Sequence, residues 1–221
     1  MELVETQGLS SFNDFLVKLE TDQSKAAQNI LKDSNIIKAK RLSLELVEGK
    51  IDHPKIEKLK EVVTSTIKEK KDSRIIIFAN YRNTVDNLVR IMTSIGIVTI
   101  KLVGQKEGLT QKQQIETIDD FNRGKYNCLI ATSIAEEGLH IGEADVAIFY
   151  DNTPSSIRKI QRSGRVGRLK PGRVIFMITK GTRDAAYHWK SQKDEKRMKG
   201  ILYGMKDKPL NLRTEKTLDE F

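Results

Sequence analysis

The chain holds one cysteine, Cys128, in 221 residues, so no disulfide can form within it. A reducing compartment is the matching expectation. No apolar run approaches the roughly 20 residues that a membrane-spanning helix needs. The opening MELVETQGLS has neither the basic start nor the apolar stretch of a secretory signal, so a cytoplasmic, intracellular protein without a membrane partner is expected. Aromatic residues are also few, at 6%. That scarcity favours packing roles for Tyr81, Tyr187 and Trp189, in a core or between domains, over base stacking.

What is abundant is positive charge, and it is unevenly spread. Residues 1–54 carry 7 basic and 9 acidic side chains, and residues 204–221 carry four of each. Residues 55–203 therefore hold 28 basic against 17 acidic groups, more than the whole net charge of +9. An excess concentrated in this way attracts phosphate backbones, although charge alone also fits a merely soluble basic surface.

Hydrophobic spacing divides the chain in two. Phe12, Phe15, Leu16 and Leu19 follow the i, i+3, i+4, i+7 pattern of one helix face, with Ser10 or Ser11 as cap. A second helix is expected from about Asn35 to Val47, stopping at Gly49, and a third opens at Asp52-His53-Pro54, with Ile56, Leu59, Val62, Val63 and Ile67 on one side. From Arg74 the pattern changes to short apolar runs: Ile75–Phe78, Val98–Leu102, Cys128–Ala131, Val146–Tyr150 and Val174–Ile178. Helical stretches separate them at Thr84–Ser94, Thr110–Asn122 and Ser155–Ser163, and a long helix follows from about Arg183 to Tyr203. Uniformly apolar strands alternating with helices predict an α/β fold, a parallel sheet flanked by helices on both faces, preceded by a helical segment.

In such sheets ligands sit beyond the carboxyl ends of the strands. Three segments should meet there: Ala79 to Thr84, Thr132 to His140, and the arginine-rich Ile160-Gln161-Arg162-Ser163-Gly164-Arg165-Val166-Gly167-Arg168. Arg165 and Arg168 lie three apart, on one face of a helical turn, and present rigid forked donors suited to a polyanion such as a triphosphate. The alternative is a basic helix end that meets solvent or a carboxylate. Thr132 and Ser133 offer hydroxyls near a helix N-terminus, where they could bind a phosphate or simply cap the helix.

These residues carry a family resemblance. CLIATSIAEEGLHIGEADVAIFYD (128–151) resembles motif V of superfamily 2 helicases, IQRSGRVGR (160–168) resembles motif VI, and IIIFANYRNT (75–84) resembles motif IV. Within the superfamily, Asp52-His53-Pro54-Lys55, Leu102-Val103-Gly104-Gln105, and Gly181-Thr182-Arg183-Asp184 with Tyr187 and Trp189 are most similar to the archaeal Hef helicases and their FANCM relatives. The resemblance implies the second RecA-like domain of a two-domain motor driven by ATP with Mg2+, whose metal ligands belong to the first domain. No GxxxxGK[ST] loop and no DExH segment is present, so the chain alone is expected to bind ATP weakly and not to turn it over.

The resemblance also assigns roles. Arg168 is implied as the finger on the developing γ-phosphate charge, with Arg165 as its companion and Gln161 orienting phosphate or water. Gly138 would allow close approach to the nucleotide, while His140 stands where the family commonly has Asp, so a carboxylate bond to the ribose is not implied. A neutral imidazole could still accept one such bond. Asn80, Arg82, Gly104, Thr132 and Ser133 are implied as nucleic-acid contacts.

The expected organisation is a helical segment over 1–50, the end of an inserted helical domain; a RecA-like helicase domain over 51–203; and a flexible tail over 204–221. The tail ends Glu215-Lys216-Thr217-Leu218-Asp219-Glu220-Phe221, which resembles a sliding-clamp-binding peptide. The expected function is an ATP-dependent DNA helicase or translocase acting on forked or branched DNA, with the first RecA-like domain as partner. The alternatives are an RNA-directed helicase of the same superfamily, or a noncatalytic nucleic-acid or clamp-binding module.

Overall fold

A computed structural model describes residues 2–49, 53–104, 110–132, 144–151 and 172–206. Ile75-Ile76-Ile77-Phe78 is apolar at every position and forms β1 (Ile75–Phe78), fully buried. It pairs in parallel on one side with β3 (Cys128–Ala131) and on the other with β4 (Val146–Phe149). β2 (Thr99–Leu102) and β5 (Arg173–Phe176) complete a sheet of order β2-β3-β1-β4-β5, all parallel.

Alternation along each strand splits the core between the two faces. Ile75, Ile77, Cys128, Ile130, Val146 and Ile148 point to one face, where α5 (Pro54–Glu69) and α6 (Arg82–Ser94) supply Leu59, Val63, Leu88 and Met92. Ile76, Phe78, Leu129, Ala147 and Phe149 point to the other, where α7 (Gln111–Asn122) supplies Ile118 and Phe121. Each fully buried aliphatic or Phe side chain contributes about 1.5–3 kcal/mol, so continuously apolar strands are what a sheet covered on both sides requires.

Local chemistry sets the helix ends. Thr110 caps α7 in a reciprocal box with Gln113, and Gly124, at φ 80°, adopts the left-handed turn that closes it. Pro54 opens α5 where its missing N–H costs nothing, and His53 Nδ1 accepts the Lys55 N–H. That bond leaves Nε2 protonated, and it donates to the Glu5 carbonyl at 3.1 Å.

The N-terminal segment is more finely divided than its periodicity predicts. It contains α1 (Glu2–Gln7), α2 (Leu9–Thr21), α3 (Lys25–Lys32) and α4 (Ser34–Glu48). The expected Ser10 or Ser11 cap is corrected: both serines lie inside α2, which starts straight after Gly8. Gly8 has φ 95°, and a Cβ there would stand 2.9 Å from the His53 Cβ, so the α1–α2 corner needs glycine for both reasons. Asp33 caps α4 through Asn35 and Ile36, and Gly49 ends it without a left-handed turn. Lys40 pairs with Glu20, and Ser43 donates to Asn13, which fastens α4 to α2. α4 still leaves Ile37, Leu42, Leu44 and Val47 exposed.

Three strands also differ from their expected bounds, and β2 starts at Thr99 rather than Val98. β4 ends at Phe149, and β5 begins at Arg173 and ends at Phe176, short of the expected Ile178. The reason is register: Val146 pairs with Arg173 and Phe149 with Phe176, so β5 ends where its neighbour does. The last helix, α8, spans Arg183–Lys206. The helix expected over Ser155–Ser163 and the tail beyond 206 lie outside the described residues.

Candidate nucleic-acid interface

The strand order brings the loops after β2, β3, β1 and β4 into one row at the carboxyl edge of the sheet. Neighbouring strands lie about 4.8 Å apart, so Gly104, Thr132 and Asn80, from three adjacent strands, span about 10 Å of this edge. Each loop starts in a stitched backbone: Ala79 N–H donates to Ala131 O, Thr132 N–H to Leu102 O, and Tyr150 N–H to Phe78 O. With its N–H committed, Thr132 can reach a phosphate only through its hydroxyl. Gly104 follows Val103, whose carbonyl accepts from the buried Gln114 amide at 3.0 Å.

Asn80 is held by a buried carboxylate. Asp151, 1% exposed, receives the Asn80 N–H on both oxygens at 3.0 and 2.9 Å, and the Gln7 amide on Oδ2 at 2.7 Å. Gln7 Oε1 in turn accepts from Thr84 Oγ1 at 2.6 Å, and Ser11 Oγ lies 3.3 Å from the same hydroxyl. Asn83 donates to Asp14 at 3.1 Å. The turn Ala79–Tyr81 and the first residues of α6 are thus clasped between the end of β4 and helices α1 and α2. Arg82 is the first residue of α6 and is half-buried, and Tyr81 before it is 44% exposed rather than packed away.

A second buried cluster lies behind this one. Lys55 Nζ donates to the Tyr150 carbonyl at 2.7 Å and pairs with Asp184 at 2.7 Å, with side chains 4% and 0% exposed. Burial pushes the Lys55 ammonium below its ordinary value, against the pull of Asp184 and, less strongly, Asp151. Asp184 also accepts the Thr179 N–H at 2.9 Å, tying the β5–α8 loop to the start of α5. Three elements therefore depend on one ammonium.

Of the residues expected in the site, Asn80, Arg82, Gly104 and Thr132 gather at this edge. Ser133, Gly138, His140, Gln161, Arg165 and Arg168 lie outside the described residues. Sequence reasoning gave no role to Asp151, Gln7, Lys55 or Asp184. One signal was available: Lys55 stands four residues before Leu59, on the apolar stripe of α5, a position where only a partnered lysine can be buried. Trp189 is neither in a core nor against another described element that covers it, being 64% exposed.

Comparison with known proteins gives the family and the fold. The model of the helicase conserved C-terminal domain matches residues 54–170, more than half of the chain. The chain belongs to this family. A Methanocaldococcus jannaschii protein, provisionally named ATP-dependent RNA helicase MJ1505, is 39% identical over 208 residues, 92% of this chain and 26% of that protein. The Gallus gallus Fanconi anemia group M protein is 33% identical over 198 residues, 79% of this chain and 10% of that protein. The crystal structure of the Pyrococcus furiosus Hef helicase domain superposes with a TM-score of 0.67 at 44% identity, covering 85% of this chain and 40% of that one. The RecA-like fold and the likeness to Hef and FANCM helicases stand on these matches. The chain spans about a quarter or less of the two relatives' length. No described helix is long and apolar enough to cross a membrane.

Proposed function

We propose that the chain is the second motor domain of an ATP-dependent DNA helicase or translocase that acts on forked or branched DNA. The observation that carries this reading is the row formed by Gly104, Thr132, Asn80 and Arg82 at the carboxyl edge of the sheet, in a chain of the helicase C-terminal family. Three adjacent loops with amide, hydroxyl and guanidinium donors can follow the phosphates of one strand. Such contacts position a nucleic acid without reading its sequence, as a translocating motor needs.

ATP with Mg2+ would lie between this domain and a first RecA-like domain that supplies the phosphate loop and the metal ligands. Arg165 and Arg168 would supply charge to the transferred phosphoryl group, Gln161 would orient the attacking water, and Gly138 and His140 would border the nucleotide. Residues 1–50 are read as the end of a larger helical domain, which accounts for the apolar side chains that α4 leaves uncovered. Gly204 to Lys206, expected in the tail, belong to α8, and the segment 207–221 is read as a tether that presents a sliding-clamp peptide.

The test joins this chain to its first motor domain and measures ATP hydrolysis stimulated by forked DNA, single-stranded DNA and RNA. Forked DNA should stimulate most. Stimulation by RNA alone would favour the alternative suggested by the name of the M. jannaschii relative. Arg168→Ala should reduce turnover by about 10³-fold or more with DNA affinity retained, and unchanged turnover would remove the finger assignment.

A further inference from the structure

The sequence contains one tryptophan, Trp189, and it is 64% exposed in the middle of the first half of α8. A large ring left in water on a basic protein calls for a reason. Its backing is ordered. Phe78 stacks on Phe149 with ring centroids 5.1 Å apart, Phe149 on Phe176 at 4.7 Å, Phe176 meets His188 edge-on at 5.3 Å, and His188 meets Trp189 edge-on at 5.5 Å. This ladder of rings runs from the central strand to the surface and ends on the indole. It is His188 that meets Phe176, the carboxyl-terminal residue of β5, and Trp189 follows it on α8.

The helix face around Trp189 is basic. Lys193 and Arg197 follow it at i+4 and i+8, and Lys190 flanks them. All three are exposed, and no ion pair to an acid is seen for them among the described residues. The stripe from Trp189 to Arg197 is about 12 Å long. A flat π surface held at one end of a row of cations fits a ligand that alternates aromatic rings with anions.

We propose that Trp189 is a stacking platform for an unpaired nucleobase, with Lys193 and Arg197 holding the phosphates of the same strand. The ligand class is single-stranded nucleic acid, and the inference rests on the reading of this chain as a DNA motor. Stacking tolerates any base, so the platform adds affinity for an unpaired strand without adding sequence preference. Duplex DNA, whose bases are already stacked, gains nothing from it.

Because Trp189 is the sole tryptophan of the 221 residues, its emission reports this site alone. The experiment titrates the 221-residue chain with a fluorescein-labelled oligo(dT) strand and with a matched duplex. Label anisotropy gives binding, and indole emission gives contact. Indole quenching that saturates together with anisotropy for the single strand, and is absent for the duplex, is the expected result. Trp189→Leu should weaken single-strand binding roughly 5- to 100-fold, with Trp189→Phe recovering most of it. Because the ring is exposed, both variants should fold, and circular dichroism verifies this. Single-strand binding with unchanged indole emission, and wild-type affinity in Trp189→Leu, overturns this inference alone and leaves the ring to a protein contact. Failure of any oligonucleotide to bind overturns it together with the nucleic-acid reading beneath it.

Discussion

Asp151 holds the backbone of Asn80 with both carboxylate oxygens, 71 residues away in the chain and one strand away in the sheet. The residue proposed to touch DNA is therefore placed by one that cannot touch it, since Asp151 is buried beneath the loop. Gln7 on α1 completes the arrangement, so the helical segment and the sheet position the same loop.

Replacing Asp151 tests that arrangement. Asp151→Ala takes the carboxylate acceptor from the Asn80 N–H and leaves the Gln7 amide with Thr6 Oγ1 at 3.3 Å, at about 1–3 kcal/mol for a buried group left unsatisfied. Urea unfolding should show the loss. Asp151→Asn keeps an acceptor for Asn80 and should cost less; equal losses in both variants would mean that charge, rather than hydrogen bonding, is what matters.

The Lys55–Asp184 pair makes a sharper demand. Removing one partner of a fully buried pair strands a charge, so Asp184→Asn and Lys55→Met should each destabilise by about 3–5 kcal/mol. The double variant Lys55→Met, Asp184→Leu should recover much of this. Additive losses in the double-mutant cycle would show that the two side chains act independently.

Cys128 sits inside β3, and burial pushes its thiol up to about 12, against a smaller lowering by the Thr99 hydroxyl. Only the thiolate reacts with alkylating agents. Iodoacetamide at pH 8 should leave the folded chain unmodified and label it in denaturant, as read by mass spectrometry. Rapid labelling of the folded chain would contradict the closed sheet.

Asp145 supplies a pH dependence of defined sign. Partial burial pushes its carboxyl up, but the Lys70 hydrogen bond, the Arg74 N–H and the charges of Lys70 and Arg74 together hold it below the usual range. A lowered carboxylate pKa contributes stability that is present above the unfolded value, near 3.9, and is lost as pH falls through the folded value. With Lys70 largely in solvent the effect is small, below about 1 kcal/mol. Denaturant midpoints from pH 6 down to pH 3 should fall less steeply in Asp145→Asn than in the wild type.

The legible part of this molecule was what repeats locally. IIIF, CLIA and VAIF are apolar at every position, which marks them as strands covered on two faces without reference to anything distant. The illegible parts were short or remote. α1, with six residues, and α3, with eight, offer too few turns for a period to show. Trp189 looked like a packing residue because composition carries no direction. Its exposure follows from the ring ladder, which spends His188 on Phe176 and leaves the indole outside.

By itself the sequence determined the fold class, the five strands in their order along the chain, and the family. Each of these is written in neighbouring residues, through apolar period, capping chemistry and motif. Tertiary structure alone decided that Gly104, Thr132 and Asn80 stand side by side, because strand order is set by long-range pairing. It also decided that Asp151, Gln7, Lys55 and Asp184 form the buried polar support beneath them. A buried charge must find partners wherever the folded chain brings them, and no local pattern says where that will be.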